Sequence, residues 1–442
     1  MFSGALFGTD GVRGVAGEFL TAELALALGR AAAATSPAEV PQVLIVRDTR
    51  ESGEMLEAAL AAGVAAAGGH ALLGGVLPTP GAAVLLRRHG FDLAAVVSAS
   101  HNPYRDNGIK FFGPDGTKVS DEQGAAIEAL VAGETPSSIR PMGRVREFDG
   151  ACGHYLRELE LRFGELDLSG RKVLLDCANG ATYQVAPEIF RRLGADLSVI
   201  AAEPDGRNIN EGCGSTHVDA LARHVVDGGH EIGFAFDGDG DRVLAVDRAG
   251  TVVDGDELMA LAALHLRAVG RLAGDGVAVT VMTNYGFHTA MREAGVKVAV
   301  TPVGDRHVLA KLLERGWTLG GEQSGHIIDT GFVPSGDGVA SALLTLEALG
   351  PGGDLAERRA MRKLPQRLVN VEVRDRGALE GATAVWQGVA QESAGLDGRG
   401  KVLVRPSGTE ALVRVMVEAP DEAECEEITA RLVALVEREL GG

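Results

Sequence analysis

The chain has little of several features that would place it in other classes of protein. Aromatic residues make up only 4% of its 442 residues, and it has four cysteines, Cys152, Cys177, Cys213 and Cys425. They lie far apart without a C-x-x-C pair, so neither a zinc cluster nor a disulfide framework is expected. The sequence has no run of about 18 uncharged apolar residues and no basic segment followed by an apolar stretch at its start. We therefore expect a cytoplasmic protein without a membrane partner.

Positive charge is also scarce. The chain has 42 Lys and Arg residues against 61 Asp and Glu residues, which gives a formal net charge of -19. A field of this sign repels polyanions, so nucleic acid is not an expected partner. A small anion can still bind where a loop concentrates cations or backbone N–H groups.

Small and branched apolar residues dominate, and the chain is long enough for about two to four domains. Three stretches, 43–73, 173–200 and 277–300, repeat the pattern of apolar run, helix ending near glycine, and second apolar run. Each is followed by a further apolar run, at 94–97, 232–236 and 317–319, that stops at a polar loop. Alternating strands and helices predict α/β layers, whose ligands bind beyond the carboxyl ends of the strands.

The pattern changes from about Leu364 onward. Period-two alternation at 369–375, a strand pair around R-P-S-G-T-E and an amphipathic helix from Asp421 to Leu440 predict an α+β domain. We therefore predict three similar α/β domains with mixed sheets between helices, at 1–145, 146–254 and 255–363, and a C-terminal α+β domain at 364–442. The four domains are expected to surround a central cleft.

The second polar loop reads D-G-D-G-D-R and contains Asp237, Asp239 and Asp241. Carboxylates spaced by two with glycine between them can converge on one hard cation such as Mg²⁺. An EF-hand is excluded, because its sixth position would be Arg242 and its twelfth Arg248. A solvated acidic turn is the structural alternative, although the apolar runs on both sides argue against it.

Ser100 lies in the first polar loop, S-A-S-H-N-P, directly after an apolar strand. A hydroxyl at such a sharp turn is a candidate nucleophile, and the alternative is a hydroxyl that only satisfies the turn. A serine hydrolase is disfavoured, since no G-x-S-x-G elbow surrounds Ser100 and the spacing around Ser324 is wrong.

Lys110 is the first of seven lysines in a chain with 35 arginines. Arginine cannot lose its proton under working conditions, whereas lysine can, so a retained lysine here suggests proton transfer. An ordinary surface lysine is the alternative.

Near the C-terminus, R-P-S-G-T-E combines Arg405 with Ser407, Gly408 and Thr409, which together resemble a phosphate cradle more than an ordinary turn. The G-T-D-G-V-R-G segment at 8–14 lacks both the Walker lysine and the G-x-G-x-x-G spacing, so nucleotide binding is weakly supported. Arg13 is better interpreted as a further anion contact.

The motifs S-A-S-H-N-P, D-G-D-G-D-R, G-E-Q-S-G-H and R-P-S-G-T-E, in this order, resemble the α-D-phosphohexomutase superfamily over essentially the whole chain. The opening F-G-T-D-G-V-R-G, the G-D-R after Val303 and Gln323 are similar to its phosphoglucosamine mutase branch, although His307 stands where that branch usually has tyrosine. The resemblance implies a four-domain enzyme with one central cleft.

The resemblance also implies roles for individual residues. These are a phosphoserine that contributes a metal ligand (Ser100), Mg²⁺ ligands (Asp237, Asp239, Asp241), proton-transfer groups (Lys110, His326), residues lining the phosphoserine (Arg13, His101), readers of sugar hydroxyls (Glu322, Ser324) and residues holding the unreactive phosphate (Arg405, Ser407, Gly408, Thr409).

The activity implied is interconversion of glucosamine 6-phosphate and glucosamine 1-phosphate through a bisphosphorylated sugar, which supplies UDP-N-acetylglucosamine and cell-wall synthesis. A sugar 1,6-bisphosphate would act as the phosphorylating activator, and a homodimer is expected by resemblance alone. A phosphomannomutase/phosphoglucomutase with the same mechanism is the nearest alternative. A noncatalytic sugar-phosphate-binding protein and a metal-dependent phosphatase are more distant ones.

Overall fold

The computed structural model describes residues 6–8, 10–133, 141–407 and 410–441. The chain folds into two compact units, which are described separately. The larger unit comprises residues 1–281 and 299–358, and the smaller comprises residues 282–298 and 359–442. The division into four predicted domains is finer than this and stays a prediction.

The first part of the larger unit is built around a six-stranded sheet. Its elements are β1 (Val12–Val15), α1 (Ala22–Thr35), β2 (Gln42–Arg47), α2 (Gly53–Ala66), β3 (His70–Val76), α3 (Thr79–His89), β4 (Leu93–Val97), β5 (Asp106–Phe112), α4 (Asp121–Val131) and β6 (Val145–Glu147). The strand order is β1-β5-β4-β2-β3-β6. Strand β2 is parallel to β3 and β4, whereas β5 is antiparallel to β4, so the sheet is mixed.

The next part has a five-stranded sheet in the order β11-β10-β9-β7-β8. Its elements are α5 (Ala151–Phe163), β7 (Lys172–Asp176), α6 (Val185–Arg192), β8 (Asp196–Ile200), α7 (Val218–Asp227), β9 (Ile232–Phe236), β10 (Val243–Asp247) and β11 (Val252–Val253). Strand β7 is parallel to β8 and β9, and β9 is antiparallel to β10.

A third sheet has four strands in the order β13-β12-β14-β15. The elements of this stretch are α8 (Gly255–Ala268), a 3₁₀ turn (Ala273–Asp275), β12 (Gly276–Thr280), α9 (Tyr285–Glu293), β13 (Lys297–Thr301), α10 (Asp305–Arg315), β14 (Leu319–Gly321), β15 (Ile327–Asp329) and α11 (Gly338–Leu349). Helix α9 belongs to the smaller unit.

The C-terminal stretch carries an antiparallel sheet in the order β16-β18-β17. Its elements are two 3₁₀ turns (Leu355–Glu357 and Arg376–Gly381), β16 (Gln366–Glu372), α12 (Thr383–Leu396), β17 (Lys401–Pro406), β18 (Leu412–Glu418) and α13 (Glu422–Leu440). The apolar faces of this sheet and of the two helices form a core of their own. This is the predicted α+β arrangement.

One strand order occurs three times: β5-β4-β2-β3, β10-β9-β7-β8 and β15-β14-β12-β13. This order confirms the three repeats predicted from the sequence. The start of one predicted strand is wrong: the strand that was predicted to begin at Trp317 begins at Leu319. Strands β4 and β9 are buried at every position, as their unbroken apolar runs predict for strands covered on both faces.

The abundance of small residues has a packing reason in helices α1 and α2. A Cβ atom added to Gly29 would lie 2.3 Å from the Leu60 carbonyl oxygen, and one added to Gly63 would lie 2.1 Å from that of Leu26. The two backbones therefore approach more closely than any larger side chain would allow. Among the helices in the described ranges, none combines the length and hydrophobicity that a membrane-spanning helix requires.

Candidate active site

Three polar loops of the larger unit follow equivalent strands of the three related sheets. The loop with Ser100 follows β4, the loop with Asp237 follows β9, and the loop with Glu322 follows β14. Each of these strands runs parallel to the first strand of its repeat, so the loops lie at carboxyl ends of parallel strands. Ligands of α/β sheets bind at such ends.

Ser100 and Asp237 meet directly. The Ser100 hydroxyl donates to Asp237 Oδ2 at 2.6 Å, although 137 positions separate the two residues. The Ser100 backbone has a φ of 52°, and its N–H donates to Ser98 Oγ at 3.0 Å. A non-glycine residue in this left-handed region is uncommon, and such residues cluster at functional sites.

Asp237, Asp239 and Asp241 form a buried cluster in which one oxygen from each lies within 4.8 Å of the others. Burial, together with repulsion from the other two, raises the pKa of Asp237 well above its usual range. Burial also disfavours the ionised form of Asp241, but the attraction of His326 and nearby cations outweighs it and lowers its pKa. Within one cluster, the pKa of Asp237 is therefore raised and the pKa of Asp241 is lowered.

The cluster fits a divalent cation. Asp239 Oδ1 and Asp241 Oδ1 are buried and have no hydrogen-bond partner among the described residues. A buried carboxylate oxygen without a partner is costly, and a hard cation would satisfy both. The turn comes so close to the serine loop that a Cβ on Gly238 would lie 2.5 Å from the Ser100 carbonyl oxygen. Glycine is therefore required at this position.

Lys110 reaches the cluster from strand β5, where it pairs with Val96 of β4. Its Nζ atom lies 2.8 Å from Asp239 Oδ2 and 3.3 Å from Asp10 Oδ2, and the side chain is buried. Burial would lower the pKa of Lys110, but the attraction of Asp10, Asp239 and Asp241 outweighs it and raises the pKa. These carboxylates therefore favour the protonated form of Lys110, which can donate a proton.

His326 contacts another aspartate of the cluster, Asp241. Its Nδ1 atom is 3.5 Å from Asp241 Oδ2, and its Nε2 atom is 3.8 Å from Asp305 Oδ2. The Gly336 N–H donates to Nε2 at 3.1 Å, which favours the tautomer with its proton on Nδ1, facing Asp241. Burial would lower the pKa of His326, but Asp241 and Asp305 raise it.

His101 lies beside the serine, and Arg13 lies near enough to His101 to act on its pKa. The His101 Nδ1 atom is 3.4 Å from Ser100 Oγ and 3.2 Å from Arg242 Nη1. Burial, followed by the positive charges of Arg242 and Arg13, lowers the pKa of His101. Arg13 itself forms an ion pair with Asp10. This cationic surrounding favours a neutral His101.

The third loop presents the two predicted sugar readers differently. Glu322 is half-buried and its Oε1 atom accepts the Gly304 N–H at 3.0 Å, whereas Ser324 is exposed. Gln323, which contributes to the resemblance, donates to Asp254 Oδ2 at 3.0 Å, and Asp254 is the N-cap of α8. The Gln323 side chain therefore attaches the loop to the N-terminus of α8.

The remaining predicted residues belong to the smaller unit. Arg405 of β17 lies directly opposite Arg414 of β18, and burial together with Arg414 lowers the Arg405 pKa. The Ser407 carbonyl accepts from Arg376 Nη1 at 2.9 Å. Like charges opposite each other destabilise a sheet unless an anion lies between them. Gly408 and Thr409 fall outside the described residues, so their predicted role stays a prediction.

The sequence interpretation missed a chain of charges behind the site. Lys118 forms ion pairs with Asp10 and with Asp305, the latter at 2.6 Å. Because Asp10 contacts Lys110 and Asp305 faces His326, the two predicted proton-transfer residues are linked through Lys118. The scarcity of lysine that singled out Lys110 applies equally to Lys118, the second lysine of the chain.

Four family profiles, all named for phosphoglucomutase/phosphomannomutase, match successive parts of the chain. Alpha/beta/alpha domain I matches residues 4–137, domain II 154–250 and domain III 254–366, and the C-terminal domain matches 368–435. A protein of that family from Burkholderia thailandensis has a similar structure, with a TM-score of 0.82 at 24% identity over 99% of this chain and 98% of the other.

Curated relatives are more similar in sequence. A phosphoglucosamine mutase from Desulforudis audaxviator is 50% identical over 98% of this chain and 98% of its own length. Another from Moorella thermoacetica is 50% identical over 97% of this chain and 98% of its own. Similarity of this extent, together with four matching domain profiles in order, identifies the group. The chain belongs to the phosphoglucosamine mutase family of the phosphohexomutases.

Proposed function

We propose that this chain interconverts glucosamine 6-phosphate and glucosamine 1-phosphate through a phosphoryl group carried on Ser100. The observation that carries the proposal is the contact of a strained, buried serine hydroxyl with a three-aspartate cluster, at 2.6 Å from Asp237. Family membership supports the choice of amino sugar, since the curated relatives are phosphoglucosamine mutases. In each half-reaction the phosphoryl group moves between Ser100 and the sugar, through a sugar 1,6-bisphosphate.

Asp237, Asp239 and Asp241, with an oxygen of the phosphorylated Ser100, would hold Mg²⁺. The bound ion would supply positive charge against a phosphoserine that carries about −1.5 to −2 charge near neutral pH. The residues around the cluster support this role from the protein side. Thr79 Oγ1 and Lys110 Nζ both donate to Asp239 Oδ2, which leaves Asp239 Oδ1 available.

Proton transfer is assigned to Lys110 and His326, which contact different aspartates of the cluster, Asp239 and Asp241. One of them would accept the proton of the attacking sugar hydroxyl, and the other would protonate the departing oxygen. Arg13 and His101 would contact the phosphoryl group on Ser100. The His101 ring at 3.4 Å from the hydroxyl supports this assignment, and Arg13 is near enough to His101 to lower its pKa.

Substrate binding is assigned to two sets of residues. Glu322 and Ser324 would read sugar hydroxyls, and Arg405 and Ser407 would hold the phosphate that is not reacting, with Gly408 and Thr409 completing the cradle. Two opposed arginines favour an anion at this position in the smaller unit. The intermediate must turn over between half-reactions, so the cradle would accept either phosphate end.

The product would supply UDP-N-acetylglucosamine and cell-wall synthesis in the cytoplasm, with a sugar 1,6-bisphosphate as activator. A homodimer stays a prediction.

The proposal is tested by Ser100→Ala. We expect loss of the covalent phosphate, measured by intact mass and peptide mapping after incubation with glucose 1,6-bisphosphate, and loss of nearly all turnover. Comparison of kcat/KM for glucosamine 6-phosphate, glucose 1-phosphate and mannose 1-phosphate tests the sugar. A preference for mannose or glucose would favour the phosphomannomutase/phosphoglucomutase alternative, and release of inorganic phosphate would favour a phosphatase.

A further inference from the structure

Two side chains from different sheets converge on the loop that carries Ser100. Arg50 lies between β2 and α2, is fully buried, and pairs with Asp48 at 2.9 Å. Asn210 lies between β8 and α7 and has a φ of 60°. The proposed function gives neither residue a role, and neither belongs to a motif singled out in the sequence.

Arg50 and Asn210 donate to the same two carbonyl oxygens. Arg50 Nη2 lies 3.0 Å from the Ser100 oxygen and 2.8 Å from the Asn102 oxygen. Asn210 Nδ2 lies 3.0 Å and 3.2 Å from the same two atoms. Since a carbonyl oxygen accepts two hydrogen bonds, these donors satisfy the Ser100 carbonyl completely.

Arg50 also hydrogen-bonds to carbonyl groups farther along the loop. Its Nη1 atom donates to the carbonyl oxygens of Pro103 and Asp106, the latter at 2.9 Å. One guanidinium group therefore contacts four carbonyls between positions 100 and 106. Only the planar fork of arginine offers so many donors in fixed directions, and a lysine ammonium could satisfy fewer of them.

The hydrogen bonds from Arg50 and Asn210 hold a strained part of the backbone. Ser100 has a φ of 52°, a conformation that persists in a non-glycine residue only when its surroundings hold it. The turn of the aspartate cluster packs closely against the same carbonyl. A Cβ atom added to Gly238 would lie 2.5 Å from the Ser100 carbonyl oxygen. The carbonyl is thus fixed by two donors and one close neighbour.

We infer that Arg50 and Asn210 are positioning residues that hold the Ser100 carbonyl and so direct the Ser100 hydroxyl to the aspartate cluster. We call these two residues the carbonyl clamp. The clamp contacts no reacting atom. The inference rests on the proposed phosphoserine chemistry. A displacement of about 1 Å at a reacting group can cost roughly a hundredfold in rate. Loss of either donor should therefore slow transfer to and from Ser100 more than it weakens substrate binding.

The test compares Arg50→Lys and Asn210→Gly with the wild-type enzyme. Lysine keeps the charge that pairs with Asp48 but loses the fork, and glycine keeps the positive φ of position 210 but loses the donor. Arg171→Lys is the matched control, because buried Arg171 also donates to two loop carbonyls, those of Gly350 and Gly353, in another part of the unit.

The measurements are kcat and KM for glucosamine 6-phosphate, thermal unfolding, and the rate at which glucose 1,6-bisphosphate phosphorylates Ser100. We expect both clamp variants to lose roughly ten- to a hundredfold in kcat and in phosphorylation rate, with KM within about threefold of wild type. Arg171→Lys should lose thermal stability without this change in kcat. Should Arg50→Lys fail to fold, Asn210→Gly carries the test.

The inference is overturned if the folded clamp variants keep kcat within about twofold of wild type, or if Arg171→Lys loses as much kcat as they do. An effect on KM alone would also overturn it. Failure of the underlying chemistry is separately visible: wild-type enzyme that never carries phosphate on Ser100 would remove the proposed function itself.

Discussion

The two compact units hold their functional side chains in different ways. In the larger unit, Ser100, Lys110 and the three aspartates are almost completely buried and contact one another directly. In the smaller unit, Arg405 is only half-buried and faces another arginine. Groups that exchange a phosphoryl group must keep fixed distances, whereas a group that holds either end of a reorienting sugar must not be too selective. We therefore expect changes to the buried groups of the larger unit to affect kcat and changes to Arg405 of the smaller unit to affect KM.

The largest effect is expected from Asp239→Asn. The substitution removes a charge from the proposed Mg²⁺ site and the ion-pair partner of Lys110, so kcat should fall by roughly a thousandfold. Turnover measured across a magnesium titration checks this. Asp247→Asn is the control, because buried Asp247 pairs with Arg358 at 3.0 Å instead. Wild-type turnover of Asp239→Asn at ordinary magnesium concentrations would remove Asp239 from the metal site.

Lys110→Arg should have the next largest effect. The substitution keeps the positive charge beside Asp239 but removes a group that can give up its proton, so kcat should fall by about a hundredfold with little change in KM. Steady-state kinetics with glucosamine 6-phosphate measures both constants. If the rate stays within a few-fold of wild type, Lys110 supplies only charge. Lys311→Arg, at a half-buried helix position where the lysine pairs with Glu314, is the matched control.

Arg405→Lys tests the smaller unit. Lysine keeps the charge but loses the two-pronged contact with phosphate, so KM should rise about tenfold while kcat stays within a few-fold. The same kinetic assay measures both constants. Arg399→Lys, which alters an exposed ion pair with Glu424 in the same unit, should change neither. A loss confined to kcat would break the contrast between the two units, since it would assign Arg405 to the chemical step.

Most of the residues that the sequence singled out and the structure brings together lie in a short local pattern at the end of a strand. The aspartate triplet and the serine turn follow β9 and β4, and their order along the chain made them recognisable. The three repeats could be predicted for the same reason, because hydrophobic periodicity is local. Ser100 and Asp237 were singled out from these patterns and Lys110, inside β5, from the scarcity of lysine; the structure brings all three to the aspartate cluster.

The residues that were missed act over long distances or through backbone atoms. Lys118 reaches Asp10 over 108 positions and Asp305 over 187, so only the fold brings the three together. The partners of Arg50 and Asn210 are carbonyl oxygens, which every residue carries and which leave no mark in a sequence. Arg13 was assigned to an anion, and the structure adds that Asp10, three positions earlier, is its partner.

A smaller effect, on stability, is expected at Asp337 in the larger unit. Asp337 is buried, and its Oδ1 atom accepts the Ala340 N–H as the N-cap of helix α11. The hydroxyl of Tyr155, a neutral group, lies within 2.9 Å of both carboxylate oxygens and shares its one proton between them. Burial is the main cause that raises the pKa of Asp337 from 3.8 to about 6. No cation among the described residues forms an ion pair with Asp337, so its ionised form is costly. Glu418 of the smaller unit is also buried and its pKa is also raised, but Lys401 at 3.3 Å partly opposes the effect of burial.

The sign of the pH dependence follows from this raised pKa. Below pH 3.8 the Asp337 carboxyl is protonated in both folded and unfolded chains, whereas between pH 3.8 and about 6 only the folded chain keeps the proton. Its contribution to the free energy of unfolding therefore falls as pH rises through this window, by about 3 kcal/mol in all.

Asp337→Asn cannot ionise, so its stability relative to wild type should increase by about that amount between pH 3.5 and pH 7. Urea unfolding of both proteins at several pH values measures the difference, in which the carboxylates they share cancel. A difference that does not change with pH would mean that Asp337 ionises as easily in the folded chain as in the unfolded one.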